Sequence, residues 1–470
     1  MLFNSFPYLF GLLPVSLLCF YLSARFHRGL PIATLIIFSA IFYGTWSVGY
    51  LMLGAIVINF TLGHFVGSGR NFPLLVTGIA LNLGLLGFFK YTDFALENWN
   101  RLAGTDFGLL HLVLPLGISF HTFQQIAYLV DRHRGIIAGA EPTQYLAFVL
   151  FYPQLIAGPI VNYREIGDQC ARIRQGLLGP IGQNLVIGLF IFSLGLFKKT
   201  AVADTFALSY ALQIYFDFSG YVDMAIGLAR MFGIVFPQNF DSPYRATSII
   251  DFWRRWHITL SHFLRDYLYI PLGGRRRGFP RQMANLMATM LLGGLWHGAS
   301  WAFILWGGLH GAMLVINHSM RRWLPRLTVP RFVAIPVTFL AVVIVWVPFR
   351  AEPFSATVTL GRAMVQIDAA WAELVAAARA ITPVQLREPA GWAYDLYGLG
   401  WCVLAAAALA LVWAAPNSAQ LAARLEASLT AKQPDAGWVG RWLAWSGVVF
   451  AVGLLLMNAG RVSEFLYFQF

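Results

Sequence analysis

Apolar residues along this chain gather in windows of about 20, each long enough to cross a ~30 Å hydrocarbon core as a helix, and polar connections separate them. The windows fall at approximately 5–24, 30–46, 48–66, 72–89, 107–130, 144–161, 181–197, 207–235, 283–297, 300–318, 332–348, 398–414 and 442–458. The pattern predicts an all-α, polytopic membrane protein of about eleven to thirteen helices. Two windows, "LPLGISFHTF" and "YPQLIAGPIV", are too interrupted by Gly and Pro to cross simply. Broken backbone at membrane depth is tolerated where protein buries it or where it lines a cavity, so re-entrant segments are expected there. The first window lacks a basic n-region and a small-residue cleavage site, and reads as a retained helix. One integral membrane domain is expected over 1–470, with a motif core at about 107–320 and peripheral amphipathic helices at 350–392. The 416–440 stretch reads as a polar linker, and no internal repeat is evident.

Composition supports the same class. Of 470 residues, 58% are hydrophobic and 11% charged, with a mean hydropathy of +0.64; a soluble chain would carry roughly 25% charge. The formal net charge of +12 comes from arginine-rich loops such as "RRRGFPR" and "RRWLPR". That is the distribution membrane topology and anionic headgroups favour, and it carries no nucleic-acid module. Cys19, Cys170 and Cys402 are widely spaced in or beside apolar segments, which suits packing and neither a disulfide framework nor a zinc site.

Polar side chains inside the apolar windows hold the chemistry. In "DFWRRWHITLSHFLRDYLYI", Trp253, His257, Leu260, Leu264 and Leu268 recur at helical spacing. This predicts one amphipathic helix at the interface with His257 facing inward. Ser261, one turn on, is placed to hold a ring nitrogen, and Asp251 and Arg255 form an i,i+4 pair. Asp217 and Asp223 lie inside a spanning window, where a carboxylate marks either a functional site or hydrogen-bonded glue between helices. Gln213 and Ser219 are their expected local partners. In "LLGGLWHGASWAFILWGGLHG", His297 stands among Gly293, Gly294 and Gly298, which leave room for backbone or ligand. Trp296 and Trp301 make its surroundings apolar, and such surroundings favour the uncharged imidazole that a general base requires. Gly307 and Gly311 form a helix-packing pair, with His310 between them as a hydrogen bond across that contact. No cluster of histidines or acids has metal-ligand spacing.

At these residues the chain resembles the membrane-bound O-acyltransferase family, in particular its alginate O-acetyltransferase branch. The landmarks are "FFKYTDF", "LPLGISFHTFQQIAYLVD", "YPQLIAGPIVNYREI", "YFDFSGYVDMAIGLARMFGI", "FWRRWHITLSHFLRDYLYIPLGG", "GLWHGASWAFILWGGLHG" and the terminal "FLYFQF". The resemblance implies a catalytic His297, a second pocket residue at His257, and a funnel through the membrane with both near its centre. Asp217, Trp253, Arg255 and Trp296 are the accompanying candidates for substrate binding. It further implies acetyl-CoA as donor, no bound cofactor or metal, and a bacterial cytoplasmic (inner) membrane location. It implies O-acetylation of an exopolysaccharide such as alginate, through a periplasmic acetyltransferase partner. The connection after "KKTAVADTF" is shorter than such proteins usually have. Two other readings start from the same residues: a transporter using Asp217, Asp223 and His297 as a proton relay, and a membrane scaffold of a polysaccharide export machine.

Overall fold

The computed structural model describes the chain except residues 1, 45–48, 68, 70, 116, 156–157, 204–209, 351–355, 358, 360–402, 404, 432–435 and 459–470. Among the described residues every regular element is helical. A π-helical turn, Tyr8–Leu12, runs into α1 (Leu13–Phe26), followed by α2 (Leu30–Gly44), α3 (Gly49–Val66) and α4 (Phe72–Ala103). Next come α5 (Ile118–His133), α6 (Pro142–Leu150), α7 (Tyr152–Leu155), α8 (Tyr163–Arg174), α9 (Ile181–Phe197) and α10 (Tyr210–Met231). Two short helices, α11 (Ile249–Trp253) and α12 (Ile258–Leu264), lead to α13 (Phe279–His297), α14 (Trp301–Trp323) and α15 (Arg331–Arg350). The last elements are α16 (Ala405–Ala414), α17 (Ser418–Thr430) and α18 (Ala436–Asn458).

Among the described residues, five stretches are long and apolar enough to span a bilayer: Tyr8–Phe26, Phe72–Ala103, Ile181–Ala203, Arg331–Arg350 and Gly437–Met457. Their outer faces expose Phe10, Leu18, Val337, Leu340 and Leu455, which water would penalise and lipid accommodates. With α2, α3 and α16 as shorter apolar helices, the chain is a multi-pass membrane protein.

Several windows resolve differently from their expected form. The 107–130 window is helical only from Ile118, after Gly117 at φ +68°. The loop before it is held by α4: the Asp93 carboxylate accepts the Leu110 and His111 N–H groups at 2.8 and 2.9 Å. The 72–89 span continues to Ala103, where Gly104 at φ +63° ends the helix. The 144–161 window breaks into α6, α7 and, at 158–161, a non-helical stretch, as its Gly and Pro content implied. The polar linker at 416–440 contains α17, nucleated by an Asn417/Gln420 capping box. The expected peripheral helices at 350–392, the short connection near 206–207 and the terminal "FLYFQF" lie almost wholly outside the described residues.

Glycine sets how closely the helices approach. A methyl at Gly195 would stand 2.5 Å from the Gly220 carbonyl oxygen, and one at Gly307 would stand 2.3 Å from that of Met290. The α9–α10 and α13–α14 pairs therefore pack backbone to backbone. Buried charges fasten α10 to its neighbours. The Lys198 ammonium lies 2.6 Å from Asp223, and Ser418 of α17 donates to the same carboxylate at 2.7 Å. Lys199 pairs with Asp217 at 2.5 Å. Both lysines lie in a π-helical turn, Lys198–Ala203, that extends α9. The local partners expected for these acids, Gln213 and Ser219, are replaced by lysines from the neighbouring helix, a contact that sequence spacing within α10 cannot reveal.

Candidate active site

Helix α13 stops at His297 because Gly298 is extended and Ser300 then caps α14, accepting the Ala302 N–H at 3.2 Å. The last carbonyls of a helix have no partner within it. Here α4 supplies them: Lys90 donates to the Trp296 and His297 carbonyls at 2.6 and 3.0 Å, and the Tyr91 hydroxyl donates to that of Leu295 at 2.8 Å. This cap holds the backbone that carries His297. A cavity of about 230 Å³ lies beside it, lined by Lys90, Asp93, Leu112, Leu114 and Ala299. The signal for Lys90 was present in "FFKYTDF", a lysine directly at the end of an apolar window.

The His297 side chain is buried within aromatic rings. Trp296, Trp306 and Phe349 stand edge-on to it at 4.8, 5.0 and 5.2 Å between centroids. The dry surround expected from Trp296 and Trp301 thus comes instead from Trp296, Trp306 and Phe349. Trp301 is 52% exposed, and its indole N–H is directed to Asn98 at 2.9 Å. Helical spacing places Trp306 on the face of α14 that turns inward, and Trp301 on the other. The glycines also act differently from expectation. A methyl at Gly298 would meet the Phe303 ring at 2.1 Å and one at Gly294 the Phe303 carbonyl at 2.3 Å, so they admit α14 rather than a ligand.

His257 does not lie on a continuous helical stripe. It stands in the left-handed region at φ +45°, ψ 54°, between α11 and α12, an uncommon conformation for a residue other than glycine and one associated with functional positions. Its ring packs against Phe218 at 4.9 Å and reaches to 6.4 Å from the Trp296 ring. Nδ1 faces Asn239 Oδ1 at 3.2 Å. The expected partner Ser261 does not serve; its hydroxyl is buried without a hydrogen bond among the described residues. Asn239, in the loop after α10, has no periodic pattern around it to single it out.

Trp296 therefore links the two histidines, and Phe123 stacks on it at 5.0 Å and on Phe263 at 3.9 Å. The remaining candidates are held by other partners. Trp253 donates its indole N–H to His310 Nδ1 at 3.3 Å, so the His310 bond runs to α11 and not across the α13–α14 contact. Arg255 is held by Asp251 at 2.9 Å, as its i,i+4 spacing predicts, and by the Asp241 carboxylate at 3.6 Å. Asp217 is engaged by Lys199. Two imidazoles on one indole, walled by aromatic rings, form a site able to take and return a proton away from bulk water.

The comparisons with known proteins agree with this architecture. The family model described as MBOAT, membrane-bound O-acyltransferase family, matches residues 203–351, which include both histidines. A probable alginate O-acetylase of Pseudomonas putida is 37% identical over the full length of both chains. A peptidoglycan O-acetyltransferase of Helicobacter pylori is 40% identical over 78% of this chain and 80% of its own. A teichoic acid D-alanyltransferase of Bacillus subtilis is 27% identical over 52% of this chain and 70% of its own. The chain belongs to the membrane-bound O-acyltransferase family. It is a multi-pass membrane O-acyltransferase, and the transporter and scaffold readings give way to an enzyme.

Proposed function

We propose that this enzyme takes an acetyl group from acetyl-CoA and delivers it for O-acetylation of an envelope polysaccharide, with alginate the favoured acceptor. The observation that carries the reading is the pair His257 and His297 gathered on Trp296 inside the bundle. His297 removes the proton from the accepting hydroxyl as that oxygen attacks the thioester carbonyl carbon. The C–S bond breaks, and the departing thiolate of coenzyme A recovers the proton from the imidazolium. A positioned base of this kind contributes about 10²–10⁴-fold. His257 is the second polar side chain in the pocket and positions the accepting group. Trp253, Trp296, Arg255 and Asp217 act in this reading through the pocket walls: Trp296 by contact with both histidines, and the others by fixing the elements that bear them.

The acetyl group is favoured because two relatives that align over most or all of this chain are named for O-acetyl transfer to peptidoglycan or to alginate. We place the enzyme in the bacterial inner membrane, with a periplasmic acetyltransferase completing transfer to the polymer. No cofactor or metal takes part beyond the coenzyme A thioester. The test is acetyl transfer from labelled acetyl-CoA in membrane vesicles, with and without a periplasmic extract, offering alginate or peptidoglycan fragments. CoA release lost in His297→Ala at matched expression supports the reading, and full release in a folded His297→Ala protein overturns it. Label on peptidoglycan fragments alone would reassign the acceptor.

A further inference from the structure

Four hydrogen bonds converge to determine where the proton of His257 sits. The Ile160 N–H, in the non-helical residues before α8, donates to Thr259 Oγ1 at 2.9 Å. That oxygen thereby accepts, and its own hydrogen is directed to Asn239 Oδ1, also at 2.9 Å. The Thr259 backbone N–H donates to the same Oδ1 at 3.1 Å. A backbone N–H can only donate, so the amide oxygen of Asn239 must be the atom facing it, and the flipped orientation would set N–H against N–H. His257 Nδ1 stands 3.2 Å from this oxygen. A bare Nδ1 would oppose two lone pairs; a protonated one completes a third donor to the oxygen.

We propose that Asn239 is a positioning residue that fixes His257 as the Nδ1–H tautomer and so makes Nε2 a hydrogen-bond acceptor. Nε2 is buried and has no hydrogen bond among the described residues. In this tautomer the neutral ring can receive the O–H of an accepting hydroxyl but cannot donate to a thioester carbonyl. His257 therefore orients the acceptor and does not polarise the donor. This rests on the pocket role given to His257 above, while the tautomer itself follows from geometry alone.

Asn239 is also structural, since its backbone carbonyl accepts the Ile258 N–H at 3.0 Å and its side chain caps the first turn of α12. One asparagine thus holds both the ring of the left-handed His257 and the two backbone N–H groups that follow it. His310 provides an internal contrast. Its Nδ1 accepts from Trp253, and an indole N–H only donates, so His310 carries its proton on Nε2.

The test is solid-state nuclear magnetic resonance of the full chain in lipid bilayers, with ¹⁵N-labelled histidine and ¹³C-labelled asparagine. Among the described residues only His257 brings a ring nitrogen within hydrogen-bond distance of an asparagine side chain, so its Nδ1 is assigned by coupling to the Asn239 amide carbon. The expected result is a protonated Nδ1 and bare Nε2 at His257, with the reverse at His310. A protonated Nε2 at His257 overturns the proposal without reference to any variant. As a second measurement, Asn239→Asp keeps an acceptor and should retain the tautomer. Asn239→Leu should lose it and lower kcat by about 10–100-fold, taking as guide the loss seen when the partner orienting a metal-bound histidine is removed, with donor KM little changed. A retained tautomer with normal kcat in folded Asn239→Leu also overturns the proposal. If His257→Gln is fully active while the tautomer is as stated, the pocket role fails and the tautomer assignment stands.

Discussion

Lys90 donates from its ammonium group to the backbone carbonyl of His297 at 3.0 Å, across 207 positions of sequence. The cation stands at the C-terminal end of α13, where carbonyls are unpaired and the helix dipole favours positive charge. This one contact couples the long helix α4 to the residue on which the proposed chemistry depends.

Replacing Lys90 by Met keeps the apolar stem and removes the donor. Leaving buried carbonyls unsatisfied costs about 1–3 kcal/mol, and the end of α13 should fray. The expected outcome is a lower melting temperature in detergent together with at least about a 10-fold loss of transfer, since small displacements of a reacting group are costly. Thermal unfolding and acyl transfer on the same preparation check both, and an unchanged rate in the folded variant would separate the cap from the chemistry.

His257, His297 and His310, all buried, should divide by role. His297→Ala should lower transfer by about 10²–10⁴-fold, and His257→Ala should lower it strongly with little change in folding. His310→Ala should act mainly on stability, by about 1–3 kcal/mol, because it leaves the buried Trp253 N–H without its acceptor. Rates normalised to folded protein, alongside unfolding midpoints, distinguish the two kinds of loss.

Glycine substitutions should report helix approach. Gly307→Ala places a methyl 2.3 Å from the Met290 carbonyl oxygen, so α14 must move away from α13, with a cost of about 1–3 kcal/mol from overpacking. Gly182→Ala is the control: nothing lies within 4 Å of the added carbon, and α9 should gain about 0.5–1 kcal/mol from the better helix former. Equal effects at both positions would contradict the packing described.

The Lys199–Asp217 pair, 1% and 2% exposed at the side chains, should show strong non-additivity. Lys199→Met deprives Asp217 of its buried cation and should cost about 3–5 kcal/mol. Combining it with Asp217→Leu should recover much of that loss, because the double variant buries no charge at the pair. Melting curves for the two single variants and the double variant decide it, and additive losses would mean the two side chains are not coupled.

The sequence by itself determined the class. Apolar windows of about 20 residues have the length of spanning helices, which satisfy every backbone polar group within the segment, and this made the all-α membrane architecture legible. It also picked out His257, His297 and Trp296, since polar or glycine-flanked groups in an apolar run are conspicuous one residue at a time. Tertiary structure alone decided which partners those groups meet. Asn239 reaches His257, Lys90 reaches His297, Lys199 reaches Asp217 and Trp306 replaces Trp301, each across a helix boundary that periodicity does not cross. The break at His257 was hidden for a related reason. Residues 251–270 have helical spacing, but the Asn239 side chain and backbone take the N–H groups at the start of α12. That long-range cap, invisible in local pattern, turns the backbone left-handed where one continuous helix was expected.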